Sequence, residues 1–143
     1  MTVTQITELT DELVTAMNDL LPQLSKSAKP LSKDDIRDFL AQDGVYLFVY
    51  REDADSPILG MLTLATFVIP TGKRAWVEDV VVDEAARGQG AGAALVAAAC
   101  EFGKKIGART IDLTSRPTRE AANRLYRRCG FQLRETNVYR FGG

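Results

Sequence analysis

A strand that runs into a glycine turn at the start of a helix constrains this chain more than any other feature. Residues Trp76 to Ala93 read WVEDVVVDEAARGQGAGA. The β-branched run Val80-Val81-Val82 predicts a strand, Arg87 to Gly92 a turn, and the alanine-rich stretch beyond it a helix. At such a helix start the first N–H groups have no intrahelical partner, and the helix dipole favours negative charge. Glycine lets a ligand come close to the backbone, so the segment points to a phosphate-bearing ligand, above all a pyrophosphate.

Two ligand classes use such a turn. Read as G-x-G-x-x-G/A, the segment Gly88-Gln89-Gly90-Ala91-Gly92-Ala93 fits a dinucleotide fingerprint, with Asp112 placed as a ribose-binding acid. The context opposes this, because the fingerprint normally opens a series of βαβ units and here too little chain follows for a second mononucleotide-binding half. Read as R-x-x-G-x-G, Arg87, Gly90 and Gly92 resemble the acetyl-CoA pyrophosphate loop of the GNAT superfamily of N-acetyltransferases, which lies in mid-chain. A ligand-free turn is the weakest reading, since three glycines at a helix start weaken the helix unless a close approach requires them.

Composition narrows the classes further. At 143 residues the whole chain, 1–143, is expected to be one domain. Eighteen basic and 19 acidic residues give a net charge of −1, which makes no case for nucleic acid. Arginines nevertheless gather late in the chain (Arg116, Arg119, Arg124, Arg127, Arg128, Arg134, Arg140), so a local positive face is expected. Met1 to Ile6 reads as polar, without the apolar segment of a signal peptide, and no apolar run is long enough to span a membrane. Cys100 and Cys129 lack metal-ligand spacing and read as buried free thiols of a cytoplasmic protein. The chain contains no histidine, so Ser-His-Asp, Cys-His and His-metal chemistries are excluded.

Element signals follow in order. A helix starts at Thr10-Asp11-Glu12 and runs until Pro22 and the linker Ser25 to Pro30 interrupt it, and Ser32 caps a second short helix. Val45–Tyr50, Ile58–Ile69 and Ala75–Val82 predict strands. Gly88–Ile106 predicts a long helix closed by Gly107, Thr110–Thr114 a strand, and Thr118–Cys129 a helix stopped by Gly130. Phe131–Phe141 predicts one or two closing strands.

That order, helices, a meander, then β-α-β-α-β, resembles the GNAT fold, most strongly from Trp76 to Phe141. A second signature supports it: Asn123 to Phe131 (NRLYRRCGF) resembles the family's L-Y-x-x-x-G-F motif. The resemblance implies an α/β (α+β) fold with a central mixed, mostly antiparallel sheet flanked by helices. Val77-Glu78-Asp79-Val80-Val81-Val82 also resembles, more weakly, the strand of the glucosamine-6-phosphate N-acetyltransferase subgroup.

The resemblance implies site residues as well. Acyl transfer from a thioester to an amine needs an anchored cofactor, a polarised carbonyl, an uncharged amine and a proton for the departing thiolate. Gly88, Gln89, Gly90, Ala91, Gly92 and Ala93 would anchor the pyrophosphate, with Arg87 adding charge. Backbone groups of Val80, Val81 and Val82 would polarise the carbonyl and pair with the pantetheine arm as an added strand. Tyr126 matches the family's general acid, a phenol of pKa about 10 giving its proton to a thiolate of about 8.5; a packed core tyrosine is the plain alternative. Where many relatives have a pantetheine-binding Asn, seven residues before this tyrosine, the chain has Arg119, and Asn123 lies one helical turn on. Either residue is a candidate. The position of a Glu base in some relatives holds Thr114, which leaves Glu78 and Asp79, on opposite faces of a regular strand. A bulge would relax that rule. Arg140 is a candidate for an anionic substrate group or an unpaired edge residue, and Trp76 reads as core or rim.

The chain is thus expected to be an N-acetyltransferase using acetyl-CoA as cosubstrate, with no metal. The acceptor, a small amine or a peptide amine, attacks directly in a ternary complex, and a homodimer stays open. A non-catalytic acyl-CoA-binding or sensing module on the same fold is the alternative from another class, with a dinucleotide-binding protein third.

Overall fold

Residues 2–143 are described by a computed structural model of the chain. Strands β1 (Thr2–Ile6), β2 (Val45–Arg51), β3 (Gly60–Ile69), β4 (Gly72–Val82) and β5 (Thr110–Asp112) form one sheet in sequence order. The first four are antiparallel neighbours, and β5 joins β4 in parallel through a helical crossover. Helices α1 (Asp11–Leu24) and α2 (Lys33–Leu40) precede β2, α3 (Ala91–Lys105) links β4 to β5, and α4 (Glu120–Arg128) follows β5. The mixed, mostly antiparallel sheet flanked by helices is the architecture expected.

Both faces of the sheet are buried, so alternation along a strand sorts side chains between two cores. In β2, Leu47 and Val49 join Leu13, Met17, Leu20 and Ile36 under α1 and α2. Phe48 and Tyr50 join Leu62, Leu64, Leu95, Val96 and Ala99 under α3. Strand β1, a segment that reads as polar in the sequence, is an edge strand. Val3 reaches the α3 core and Ile6 the other, too few apolar positions to signal a strand on their own.

Strand β4 breaks the alternation once. Thr63 pairs with Glu78 but Met61 with Val81, so β4 carries one extra residue, a β-bulge. Asp79, at φ 49°, is the one non-glycine residue with positive φ among the described residues. Beyond the bulge the faces exchange. Val77 belongs to the α3 core, yet Val81 lies in the α1/α2 core, while Val80 and Val82 pack against the α3 core. The valines are therefore not arranged as inward and outward residues of a one-sided strand; both directions lead into protein.

Other boundaries shift for identifiable reasons. Helix α1 continues through Pro22 to Leu24, giving up the one bond that an N–H at position 22 would donate to the Asn18 carbonyl. Thr10 caps it, accepting from the Leu13 N–H at 3.1 Å, and Ser32 and Asp35 form a capping box on α2. Helix α3 starts at Ala91 rather than Gly88, since Gly88 (φ 81°) and Gly90 (φ 82°) are left-handed, and α4 starts at Glu120 rather than Thr118. Phe131–Phe141 contains no strand. Leu133, Val138, Tyr139 and Phe141 stand largely exposed, so a period-two pattern without a paired edge has not become a strand there.

Candidate functional site

Pairing between β4 and β5 covers only Arg74–Trp76 against Thr110–Asp112. Past Trp76 the two strands part, and the β5-facing edge of β4 from Val77 onward is left without a strand partner. A cleft of about 1300 Å³ opens there. Val80, Val81 and Val82 form one wall, Arg87, Gly88 and Gly90 to Ala93 its floor, and Thr114 to Arg116, Thr118 and Arg119 with Leu125 and Tyr126 of α4 the facing wall.

The floor is a helix start without a protein cap. Gly90 is the N-cap of α3, no side chain bonds to the first turn, and that turn holds no acidic residue. The first N–H groups of α3 thus face the cleft with the positive end of the dipole. The three glycines serve two purposes. Gly88 and Gly90 supply left-handed backbone, whereas a Cβ on Gly92 would stand 3.1 Å from Leu125 Cδ2, so Gly92 permits close contact with α4. The approach lane is fixed from α1: Gln23 Nε2 donates to Asp83 Oδ2 at 3.0 Å, and the Glu84 N–H donates to Gln23 Oε1 at 3.0 Å. Asp83 also accepts from the Ala85 N–H, and these two donors hold its carboxyl below the ordinary range.

Charge in the cleft has one sign. Arg87, Arg116, Arg119, Arg128 and Arg140 line it, and no Asp or Glu does. Four of the seven late arginines are thereby gathered at the mouth of a helix N-terminus, while Arg127 and Arg134 border the second cavity. Arg87 Nε donates to the Val82 carbonyl at 3.2 Å, which ties the loop to the strand.

Tyr126 is 8% exposed and borders both this cleft and a second cavity of about 610 Å³. Its ring meets Phe131 edge-on at 6.1 Å. Burial pushes the phenol pKa up, against a smaller opposing pull from Arg119. Asn123 and Arg119 are separated by the fold. Asn123 Nδ2 donates to the carbonyls of Arg116 (2.9 Å) and Arg119 (2.8 Å), fastening the turn before α4, and its side chain borders the second cavity. Arg119 faces the cleft itself.

The expected carboxylates are elsewhere. Glu78 and Asp79 are both exposed at the bulge, and neither lines the cleft or the second cavity. The regular-strand rule that would put them on opposite faces does not apply, because the extra residue interrupts the alternation. Gln89 also misses the cleft lining; its side chain turns back to the Ala85 carbonyl at 3.5 Å. Trp76 and Asp112, a cross-strand pair, border the second cavity. Cys100 and Cys129 are free and half-buried rather than fully buried, with thiol pKa values raised by burial.

Several lining residues carry no motif. Thr114 and Ser115 separate the two cavities, and Ser115 Oγ is buried without a partner. A lone hydroxyl after a short strand gives no sequence signal; only the parting of β4 and β5 brings it to the cleft wall.

A sequence profile described as the acetyltransferase (GNAT) family matches residues 11–131. No curated protein matches the sequence. A transcriptional regulator from Bacillus halodurans C-125 is 28% identical, with a TM-score of 0.80 over 99% of this chain and 100% of that one. A protein of Agrobacterium tumefaciens str. C58, named provisionally as an acetyltransferase, is 23% identical and covers 99% of this chain and 100% of its own at a TM-score of 0.86. AAC(6')-Iy, in complex with the bisubstrate analogue CoA-S-monomethyl-acetylneamine, is 17% identical, with a TM-score of 0.80 over 100% of this chain and 99% of that one. The last two likenesses bear on the fold alone.

Proposed function

This chain belongs to the GNAT family of acetyltransferases, and from that premise we propose that its 143 residues act as one domain that moves the acetyl group of acetyl-CoA to an amine. The observation that carries the reading is the cleft itself: an uncapped helix N-terminus, five arginines and no carboxylate, set beside an unpaired strand edge. The phosphates of CoA match the first part, and the amide-bearing pantetheine arm matches the second. AAC(6')-Iy, solved with a CoA-containing bisubstrate analogue, is built on the same fold.

In this reading the α3 N–H groups from Ala91 to Ala93, with Arg87, hold the pyrophosphate, and Arg119 rather than Asn123 reaches the cofactor. The β4 edge at Val80 to Val82 aligns the thioester, and a backbone N–H there stabilises the carbonyl oxygen as negative charge develops. The acceptor amine attacks the carbonyl carbon, the C–S bond breaks, and Tyr126 gives its proton to the leaving sulfur. A phenol held neutral by burial remains protonated across the neutral range, as a donor must. Among the carboxylates, Glu78 is the chosen route for the ammonium proton. It lies outside the cleft lining, so water links the two. The exposed bulge leaves a route from β4 to solvent. The half-buried free thiols suit a reducing compartment.

The test is calorimetry with acetyl-CoA, desulfo-CoA and NAD, combined with an acceptor panel read by free CoA release. Acetyl-CoA binding with turnover on an amine supports an enzyme. Binding without turnover on any amine favours the acyl-CoA-sensing alternative.

A further inference from the structure

At the opposite end of β4 from the cleft, the turn between β3 and β4 gathers cations with no counter-charge. Lys73 and Arg74 open β4, Lys104 and Lys105 close α3, and Arg109 leads into β5. None of them belongs to any ion pair found among the described residues. Lys73 has a structural duty, since its Nζ donates to the Ile106 carbonyl at 3.1 Å, at the negative end of the α3 dipole. Lys104 and Lys105 favour the same dipole. Arg74 and Arg109 have no such account.

Their two guanidinium groups converge on one residue. Arg74 NH2 donates to Thr71 Oγ1 at 2.8 Å, and Arg109 NH1 donates to the Thr71 carbonyl at 2.9 Å. A Cβ built on Gly72 would lie 3.3 Å from Arg74 NH1 and 3.5 Å from Arg109 Cδ, so both side chains flank the same glycine. Arg74 NH1 is buried with no partner, and so is Oγ1 of Thr110, the residue paired with Arg74 across the strands. Two like charges therefore meet at Thr71, and one of the two guanidinium groups carries an orphaned donor. A water satisfies a donor but leaves the charge uncompensated, whereas an oxyanion does both.

We propose that Thr71, Arg74 and Arg109 form a second anion site that takes a phosphate-type oxyanion, distinct from the cofactor cleft. The planar forks of two arginines suit a tetrahedral oxyanion carrying several acceptors. Thr71 Oγ1 accepts from Arg74, so its own proton is free for the anion. Along β4 the site lies about 20 Å from Val80, from the rise of an extended strand. Thr71 and Arg109 are exposed, which gives the anion access.

The experiment titrates inorganic phosphate into protein saturated with CoA, followed by amide and arginine side-chain NMR, with chloride at equal ionic strength as control. Saturation with CoA keeps the cleft's own anion site out of the measurement. Saturable shifts at Thr71 to Arg74, Arg109 and Thr110 are expected with phosphate and not with chloride. Arg109→Ala, an exposed change that leaves the core intact, should weaken phosphate binding by roughly tenfold while CoA affinity is unchanged. A parallel titration with glycerol phosphate separates the two sources of the same group: tighter binding than inorganic phosphate assigns the site to a phosphorylated metabolite, weaker binding to free phosphate. Shifts that stay linear, that chloride reproduces, or that persist with equal affinity in Arg109→Ala overturn the proposal.

Discussion

The two ends of β4 have opposite surroundings although they belong to one continuous strand. From Arg74 to Trp76 it is paired on both edges, with Ala75 fully buried. From Glu78 to Val82 it carries a bulge, loses β5 as a neighbour and opens onto a 1300 Å³ cleft. Apart from the exposed bulge at Glu78 and Asp79, both halves place apolar side chains in protein, so side-chain hydrophobicity distinguishes them little. Backbone hydrogen bonding does. Where the strand's N–H and C=O groups are all used it is scaffold, and where one edge is left free it is a template for a ligand that pairs as a strand.

The comparison breaks most readily at the open end. Gly90→Asp places a carboxylate and a Cβ where φ is 82° and the helix start is uncapped. Acetyl-CoA binding should fall below detection by calorimetry, with the circular dichroism spectrum retained; unchanged affinity would remove the loop from the site. Tyr126→Phe keeps the ring against Phe131 and should lower kcat roughly 100-fold while leaving the CoA dissociation constant alone. The phenol pKa is raised in the folded protein, so the acid form persists through neutral pH and activity carried by it should decline only above the ordinary tyrosine value of about 10. The same sign applies to stability. A raised folded pKa contributes fully below the unfolded value and is lost as pH rises through the folded one, so wild type should lose stability at alkaline pH more steeply than Tyr126→Phe.

At the closed end the expectation reverses. Ala75→Leu overpacks a fully buried position and should cost about 1–3 kcal/mol in denaturant unfolding. Below the melting transition kcat should remain near wild type. A loss of kcat with little loss of stability would show that the closed end is not merely scaffold. Glu78→Gln should lower kcat/KM by roughly tenfold, and more than Asp79→Asn. The reverse order moves the base to Asp79. The smallest effect belongs to Asp79→Gly, which relieves a left-handed non-glycine residue and should leave stability within about 1 kcal/mol of wild type by thermal unfolding.

Much of this division was legible in the residues. The β-branched run Val80–Val82, the turn Arg87 to Gly92 apart from Gln89, and Leu125 and Tyr126 of the second signature lie on the cleft, and so do Arg116, Arg119, Arg128 and Arg140 of the late basic set. Less legible were positions whose role depends on a neighbour distant in sequence. Asn123, one of two candidates for a ligand contact, donates both its bonds to the turn at Arg116 and Arg119. Gly92 looked like part of a phosphate loop, and its missing Cβ makes room for Leu125. Phe131–Phe141 had the residues of a strand yet pairs with no edge, although β5, last in the sheet, has one free.

The sequence by itself determined the elements whose signals are local: capped helices at Thr10 and Ser32, β-branched strands, a left-handed glycine turn at a helix start, and the absence of histidine chemistry. These follow from backbone sterics, capping and side-chain chemistry, which act within a few residues. Only the tertiary structure decided where β5 stops pairing with β4, that the extra residue at Asp79 exchanges the faces of Val77 and Val81, and that Glu78 stands outside the cleft. Strand register is a relation between segments far apart in the chain. A one-residue slip reverses every side chain beyond it at little local cost, so the register is settled by how well two cores pack at once.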